Sequence, residues 1–503
     1  MDSSKKANGS KWARFVYRLF EILPGALTWS VLIAPFILSI FAPRVVAYFI
    51  LVYTCYWVVQ SFLYVRNAVR GYAVMQKWLH IDWNDRLAQE FPDVSREYYY
   101  ATLIPFAKET ERVLVPTLDS IVASRYPVDR KILILSSEAK LPEGKLVAKK
   151  MAEKYAKDFG KVIVIEHVLK EGEMVGKSSN ENFAGRVLLE RCKEWGITPS
   201  KVLVTSNDAD MSIAKGYIPA CVYWLLKQPE KYRNSTVLQP IPTDHKNIWD
   251  TSPLVSIKVL LGTLWRTAVY FMPSMLTVYA NYTMTLEMLC QIDFWDPDII
   301  QEDIRVHSKA LFKFGSDFKI VPIYYVIEGE PVIGKNAVDT LWLHYKQVRR
   351  WAWGAAEIAY IVTQGLFKKT KASKFQILVF LFMNIRAHLD WVIISYVPLA
   401  GSTILFTLNP QIKLETLGRN LPVILSRLLT AATVFLFLFV LLEYKLFPTP
   451  PKNKNSFAHK AFRLIKWVLS PYIGVFLSSI PALHAQTMLM FNKRLAYVVY
   501  RKE

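Results

Sequence analysis

Two apolar runs near the start of the chain place the strongest constraint on its fold. They cover residues 23–41 and 45–64, about twenty residues each. A helix of this length, rising 1.5 Å per residue, crosses the hydrocarbon core of a bilayer, which is about 30 Å thick. Only a short connection containing Pro43 and Arg44 separates the two runs. We therefore predict a helical hairpin in the membrane, with the chain returning to the cytoplasm near Arg66.

The charge of the chain agrees with a membrane protein. The net charge is +21, from 62 Lys and Arg against 41 Asp and Glu. Basic residues concentrate beside apolar runs, as the positive-inside bias predicts for cytoplasmic flanks. They are Lys5, Lys6, Lys11, Arg14 and Arg18 before the first run, and Lys452, Lys454, Lys460, Arg463 and Lys466 before the last. No nucleic-acid module is recognisable, so we expect no nucleic-acid partner.

The last 130 residues are apolar again. A basic boundary at 368–374 precedes spans predicted within 375–408 and 421–444. The final run, 467–490, contains two prolines, which leaves two alternatives open: one kinked span or a re-entrant hairpin. The basic tail (Lys493, Arg494, Arg501 and Lys502) favours a C-terminus on the inside, and hence a hairpin or an extra span. We predict a multi-pass protein of the plasma membrane.

The middle of the chain has the pattern of a water-soluble α/β domain. Short apolar runs predict buried strands at 99–105, 131–135, 161–165 and 201–205, and helical periodicity predicts helices at 113–124, 146–159 and 182–195. Strands that alternate with helices predict a mostly parallel, Rossmann-like sheet, which binds ligands at the carboxyl ends of its strands. The predicted division is 1–66 (hairpin), 67–97 (linker), 98–345 (α/β domain), 346–372 (interface helices) and 373–503 (transmembrane region).

Three groups of polar residues in this domain carry chemistry. Asp208 and Asp210 follow a buried strand, so both carboxylates can face one hard cation; the alternative is a capped surface turn. Glu302 and Asp303 come about ninety residues later. Gln347, Arg350 and Trp351 lie at i, i+3 and i+4 of a predicted helix and share a face. An indole can support a sugar ring, but this helix would also suit the membrane surface.

In this order, the three groups make the chain resemble the inverting, membrane-embedded family-2 glycosyltransferases, which include cellulose, chitin and hyaluronan synthases. The resemblance covers about residues 98–355. It implies an α/β GT-A fold for a cytoplasmic domain flanked by transmembrane helices. It also implies a nucleotide-sugar donor and a divalent cofactor, Mg²⁺ or Mn²⁺.

The resemblance also assigns roles to individual residues. Asp303, beside Glu302, would be the general base, and a free Asp has a pKa near 4. Asp208 and Asp210 would hold the metal. The donor would contact residues of all the matching motifs: Glu138, Lys177, Asn182, Asp208, Gln347, Arg350 and Trp351. Glu138 marks a departure, because the second strand ends in Ser-Ser-Glu where the better-known synthases have paired Asp residues. That departure leaves the nucleotide in doubt.

The function predicted from the sequence is transfer of a sugar from a UDP-sugar to a glycan acceptor, as in a polysaccharide synthase. Two alternatives remain open. One is transfer of a single sugar to a lipid acceptor, either a polyprenyl phosphate or a glycolipid. The other is a catalytically silent membrane scaffold or transporter subunit, for which the departure at Glu138 is the one supporting feature.

Overall fold

The computed structural model of the protein describes residues 11–454 and 456–495; Lys5, Lys6, Arg501 and Lys502 lie outside the described residues. Helix α1 covers Lys11–Phe41 and α2 covers Pro43–Leu79. These helices contain the two predicted spans, and α2 continues as a helix well past Arg66. Its sequence keeps an apolar face beyond that point, and Trp78 near its end is buried against the α/β domain. Much of the expected linker over 67–97 is therefore helical, in α2 and then in α3 (Trp83–Glu90).

Within the described residues, seven strands form one mixed, mostly parallel sheet. Its order is β3-β2-β1-β4-β6-β5-β7, and only the short β6 runs antiparallel to its neighbours β4 and β5. The prediction of a mostly parallel α/β domain is confirmed. The strands are β1 (Tyr99–Phe106), β2 (Lys131–Glu138), β3 (Lys161–His167), β4 (Val202–Ser206), β5 (Thr236–Thr243), β6 (Thr283–Thr285) and β7 (Lys319–Glu328).

Helices cover both faces of this sheet, and separate apolar clusters fill the two interfaces. Leu133 of β2 faces one cluster and Ile134 faces the other, as the alternation of side chains along a strand requires. The helices of the domain are α4 (Glu111–Val122), α5 (Pro142–Lys154), α6 (Lys177–Glu194), α7 (Tyr217–Leu226), α8 (Glu230–Arg233), α9 (Pro253–Val269), α10 (Leu286–Gln291), α11 (Glu302–Phe314), α12 (Ala337–Ala352) and α13 (Glu357–Tyr360).

The remaining helices are α14 (Lys374–Leu408), α15 (Thr416–Leu446), α16 (Phe457–Ile465), α17 (Ser470–Gly474) and α18 (Ile480–Met490). By length and composition, five helical segments of the described chain can cross a membrane: α1, α2, most of α14, α15, and the continuous run from α16 to α18. They lie on both sides of the α/β domain in the sequence, as predicted.

The fifth segment begins and ends on one side of the bundle. The turn between α1 and α2 meets the turn between α14 and α15, where Arg44 pairs with Glu415 at 2.7 Å. The start of α1 and the end of α15 therefore lie together at the opposite end. The fifth segment starts soon after α15, and Arg494, just beyond its end, pairs with Glu21 of α1 at 2.6 Å. This arrangement favours the re-entrant alternative over a fifth crossing.

Candidate active site

The loop after β4 presents the Asp-x-Asp pair at the carboxyl edge of the sheet. The side chain of Asp208 is about one-third exposed. Asp210 is buried, and its Oδ2 accepts a hydrogen bond from the N–H of Glu330 at 3.0 Å. Asn207 donates to the carbonyl of Met211 at 3.0 Å, which fixes the turn between the strand and the carboxylates. The loop thus has a defined shape with one carboxylate facing outward.

Lys177, the first residue of α6, joins this loop to α11. Its Nζ lies 2.8 Å from Oδ1 of Asp208 and 2.8 Å from Oε1 of Glu302. Burial lowers the pKa of Lys177, but the nearby carboxylates of Asp208 and Glu302 raise it by a larger amount. The pKa is therefore well above its ordinary value. The structure therefore brings together three of the predicted site residues around one ammonium group.

Glu181, one helical turn after Lys177, adds a carboxyl group that the sequence analysis missed. Its Oε1 accepts a hydrogen bond from Ser206 and lies 3.8 Å from Nζ of Lys177. Its Oε2 is buried without a hydrogen-bond partner in the described part of the chain. Burial above all raises its pKa, to about 8. The available signal was its i+4 spacing from Lys177, which sets the two side chains on one face of α6.

Asp303 lies in the first turn of α11, directly after Glu302. Its Oδ1 accepts a hydrogen bond from the N–H of Ile304 at 2.8 Å. Burial, and then the neighbouring Glu302 carboxylate, raise its pKa to about 7. The expectation of a pKa near 4 is therefore wrong in this structure. A carboxyl group with a pKa near neutrality suits a general base at neutral pH better than an ordinary Asp does.

The end of α12 contacts the start of α11 through Gln301. The side-chain amide of Gln301 donates to the carbonyls of Arg350 and Trp351, the latter at 3.1 Å. Gln347 is buried, and its Oε1 lies 3.4 Å from Nζ of Lys258 of α9. The Gln-x-x-Arg-Trp segment is thus held beside the Glu302–Asp303 turn, and sequence reasoning had missed both Gln301 and Lys258.

Two predicted donor-binding residues, Glu138 and Asn182, form hydrogen bonds to the backbone around the site. Oε1 of Glu138, at the end of β2, accepts from the N–H of Gly176 at 3.2 Å, and burial raises its pKa. That bond supports the turn from which Lys177 projects. Asn182 donates to the carbonyl of Trp295 and accepts from Arg186 at 3.0 Å. The contacts of Glu138 and Asn182 do not bring either residue to the Lys177 cluster.

The donor set of this site is compatible with a hard divalent cation. Asp208 and Asp210 offer carboxylate oxygens, which Mg²⁺ and Mn²⁺ prefer to sulfur. Among the described residues no group of three or more His, Cys, Asp and Glu side chains forms a complete cage. A site of two carboxylates needs further oxygen ligands, and phosphates of a bound nucleotide commonly supply them to Mg²⁺.

A protein-family model matches the part of the chain that contains most of these site residues. The model described as "Glycosyl transferase family group 2" matches residues 203–447, a range that includes the Asp-x-Asp pair, Glu302–Asp303 and Gln347–Trp351. The match supports a family-2 glycosyltransferase. The mostly parallel α/β domain is GT-A-like, as the sequence predicted. No curated protein matches the chain.

Several solved structures resemble this chain at low sequence identity. One is the mannosyltransferase PcManGT from Pyrobaculum calidifontis in complex with GDP-Man and Mn²⁺. It is 16% identical, the match covers 88% of this chain and 100% of that chain, and the TM-score is 0.41. Another is TarS 1–349 of S. aureus in complex with UDP, at 13% identity, with 65% and 87% of the two chains covered and a TM-score of 0.36.

Proposed function

We propose that the protein is a metal-dependent, inverting glycosyltransferase that uses a nucleotide-sugar donor at the cytoplasmic face of the plasma membrane. One observation carries this proposal: Nζ of Lys177 lies 2.8 Å from both Asp208 and Glu302, and Asp303 follows Glu302 in the chain. The residues proposed for the metal and for the base are thereby joined at one edge of the sheet. The family match over residues 203–447 supports the same reaction class.

The proposed chemistry is a direct displacement at the anomeric carbon. Asp303 takes the proton from an acceptor hydroxyl while that oxygen bonds to the anomeric carbon, and the bond from this carbon to the diphosphate oxygen breaks. Attack opposite the leaving group inverts the configuration. Asp208 and Asp210 would hold Mg²⁺ or Mn²⁺, which, when bound, stabilises the charge of the leaving diphosphate. Lys177 adds a fixed positive charge beside the same oxygens.

The proposal extends to the two substrates and to the residues that bind them. The donor is a UDP-sugar, and the acceptor is either a glycan or a lipid, the lipid being a polyprenyl phosphate or a glycolipid. Gln347, Arg350 and Trp351 bind donor or acceptor, and their position beside Gln301 supports this role. Glu138 and Asn182 act indirectly, through the turn before Lys177 and through Trp295.

The experiment is a donor screen with the purified full-length protein in detergent or nanodiscs. Several UDP- and GDP-sugars are supplied with Mn²⁺ or with a chelator, and release of the nucleoside diphosphate is followed. We expect metal-dependent release with at least one donor, and its loss in Asp210→Ala. A catalytically silent scaffold would show neither release nor metal-dependent nucleotide binding by calorimetry, and that result would overturn the proposal.

Product size separates the two enzymatic alternatives. A labelled donor sugar that enters a long polymer supports a polysaccharide synthase, whereas a label confined to one small glycolipid supports transfer of a single sugar.

A further inference from the structure

Helix α9 presents two cations and a glycine on one face. Lys258, Gly262 and Arg266 are spaced four residues apart, which places them in a row along the helix. A methyl group added at Gly262 would have guanidinium atoms of Arg266 as its three nearest neighbours, 3.6–3.8 Å away. The glycine therefore leaves space between the two cationic side chains. We call this row the α9 cradle.

Lys258 is held by neutral groups of α12. Its Nζ lies 4.2 Å from the ring centroid of Trp351, 3.4 Å from Oε1 of Gln347 and 3.5 Å from Nδ1 of His344. Nε2 of His344 lies 3.0 Å from the carbonyl of Val332 and donates to it, so Nδ1 is left as an acceptor for the lysine. Three residues on one face of α12 thus orient the ammonium group.

The charge of this ammonium group is only partly balanced. The carboxylate that acts on it, Asp244, also lies 3.6 Å from the guanidinium of Arg266, so two cations share it. Burial accordingly lowers its pKa to about 8, although Asp244 partly opposes that effect. Two partly buried cations that share one carboxylate carry an excess of positive charge, which an additional anion would balance. The position therefore has the properties of an anion-binding site.

Arg266 adds a second cationic group for anion binding at the other end of the α9 cradle. Its guanidinium reaches Asp244 only at 3.6 Å. Its Nε is buried and lacks a hydrogen-bond partner in the described part of the chain. Arginine and lysine are the side chains that proteins use most for phosphate, because both donate charge-assisted hydrogen bonds.

The other side of α9 faces the membrane helices. Leu260 and Leu264 belong to an apolar cluster with Val440 of α15 and Ile473 of α17. The cradle therefore lies between the α/β domain and the candidate spans. It is also adjacent to the proposed reaction site, because Trp351, which faces Lys258, is bonded through its carbonyl to Gln301.

We propose that the α9 cradle binds a phosphate group carried by the acceptor. This inference rests on the proposed function and names the class of its second substrate. Lys258 and Arg266 donate to the phosphate oxygens, and Gly262 leaves room for the group. The position between the domain and the spans favours a lipid phosphate over a soluble sugar phosphate, and the experiment includes both.

The test measures binding to the purified full-length protein in detergent micelles. The probes are a short-chain polyprenyl phosphate, the matching polyprenol, a soluble hexose phosphate, and UDP or GDP with Mn²⁺. We compare the wild type with Lys258→Met, with the charge-conserving Lys258→Arg and with Gly262→Ala. Lys149→Met, at an exposed position of α5, is the matched control. Loss of a charge-assisted hydrogen bond to phosphate predicts about tenfold to hundredfold weaker binding.

We expect Lys258→Met to weaken binding of the polyprenyl phosphate by that factor and to leave nucleotide binding within about twofold. Lys258→Arg should recover most of the affinity, and Lys149→Met should change nothing. Gly262→Ala should weaken the same binding without loss of thermal stability, because alanine favours a helix over glycine and the added methyl group makes only ordinary contacts with Arg266. The alanine variant keeps the test valid if Lys258→Met folds poorly.

Other outcomes overturn the inference. Equal binding of polyprenol and polyprenyl phosphate would show that no phosphate is recognised. A nucleotide affinity that falls together with the lipid affinity in Lys258→Met would assign the cation to the donor diphosphate instead. If the hexose phosphate binds more tightly than the lipid phosphate, the α9 cradle recognises phosphate, but the inference that this phosphate belongs to a lipid is wrong. Failure of the proposed function has a different signature, since no nucleotide would then bind with Mn²⁺.

Discussion

Replacement of Asp303 by asparagine tests the assignment of the general base. The variant keeps the shape of the side chain, and the amide oxygen can still accept the hydrogen bond from the N–H of Ile304, now 2.8 Å from Oδ1. The local backbone should therefore be preserved while proton transfer is lost. A positioned base contributes about 10²–10⁴ in rate. We expect a loss near the upper end, because burial and Glu302 raise the pKa of Asp303 to about 7 and make it a stronger base than an ordinary Asp.

The raised pKa also predicts the direction of the pH dependence. The base must be ionised to accept a proton, so kcat/KM rises with pH through about 7 and levels off above it. With a midpoint at 7, about one-tenth of the molecules are ionised at pH 6 and about nine-tenths at pH 8, which predicts roughly tenfold higher kcat/KM at pH 8. An Asp with an ordinary pKa near 4 would give a flat profile over this range.

The assay is the release of nucleoside diphosphate from the best donor of the screen, at saturating metal, from pH 5.5 to 9. Calorimetry with the same nucleotide and Mn²⁺ serves as the control, because Asp303→Asn should bind it as the wild type does. The residual activity of the variant should lose the rise near pH 7. Turnover within threefold of the wild type, or an unchanged pH profile in the variant, would refute the role of Asp303 as base.

Three further outcomes follow from contacts described above. Lys177→Met leaves the buried carboxylate of Glu302 without its ammonium partner, which predicts a loss of about 3–5 kcal/mol in stability. It also predicts a larger rise of Tm on addition of Mn²⁺ than in the wild type, measured by thermal unfolding. Gln301→Ala removes two hydrogen bonds to the end of α12, so kcat should fall while Tm and nucleotide affinity change little. Two single-cysteine variants, Asn492→Cys and Lys454→Cys, are made in a background without other cysteines. Both should react with a membrane-impermeant reagent from the same side of the membrane, because the segment between the two positions returns to the side where it starts. Labelling from opposite sides would contradict the re-entrant arrangement.

The sequence was most informative in segments where the apolar residues follow a single periodicity, either that of a strand or that of a helix. Strands such as β1 and β4 are short, buried and bounded by polar turns, so their existence and the parallel sheet were predictable. The Asp208, Glu302 and Trp351 motifs were also recognisable, because each has a fixed spacing. Their meeting at Lys177 and Gln301 depends on tertiary contacts, which no spacing in the chain encodes.

The sequence could not predict the properties that arise when the fold buries a side chain. Asp303 and Glu181 have raised pKa values because the fold removes them from water, and an isolated carboxyl group carries no sign of that. The amide of Asn182 donates to the carbonyl of Trp295, a contact that the spacing of the motif does not reveal. The continuation of α2 beyond its apolar run was not predicted, because hydropathy falls after residue 66 although the helix continues to Leu79.

The unbroken α2 has a mechanical consequence. Its 37 residues span about 55 Å, roughly 25 Å more than a bilayer core requires. Its far end is anchored in the domain, where the hydroxyl of Tyr325 donates to the carbonyl of Trp78 at 3.0 Å. The helix therefore acts as a stiff strut that fixes the distance between the candidate span and the α/β domain. One residue inserted between the membrane and Trp78 would turn the domain by about 100° about that strut and misalign the cleft with any acceptor held in the bilayer.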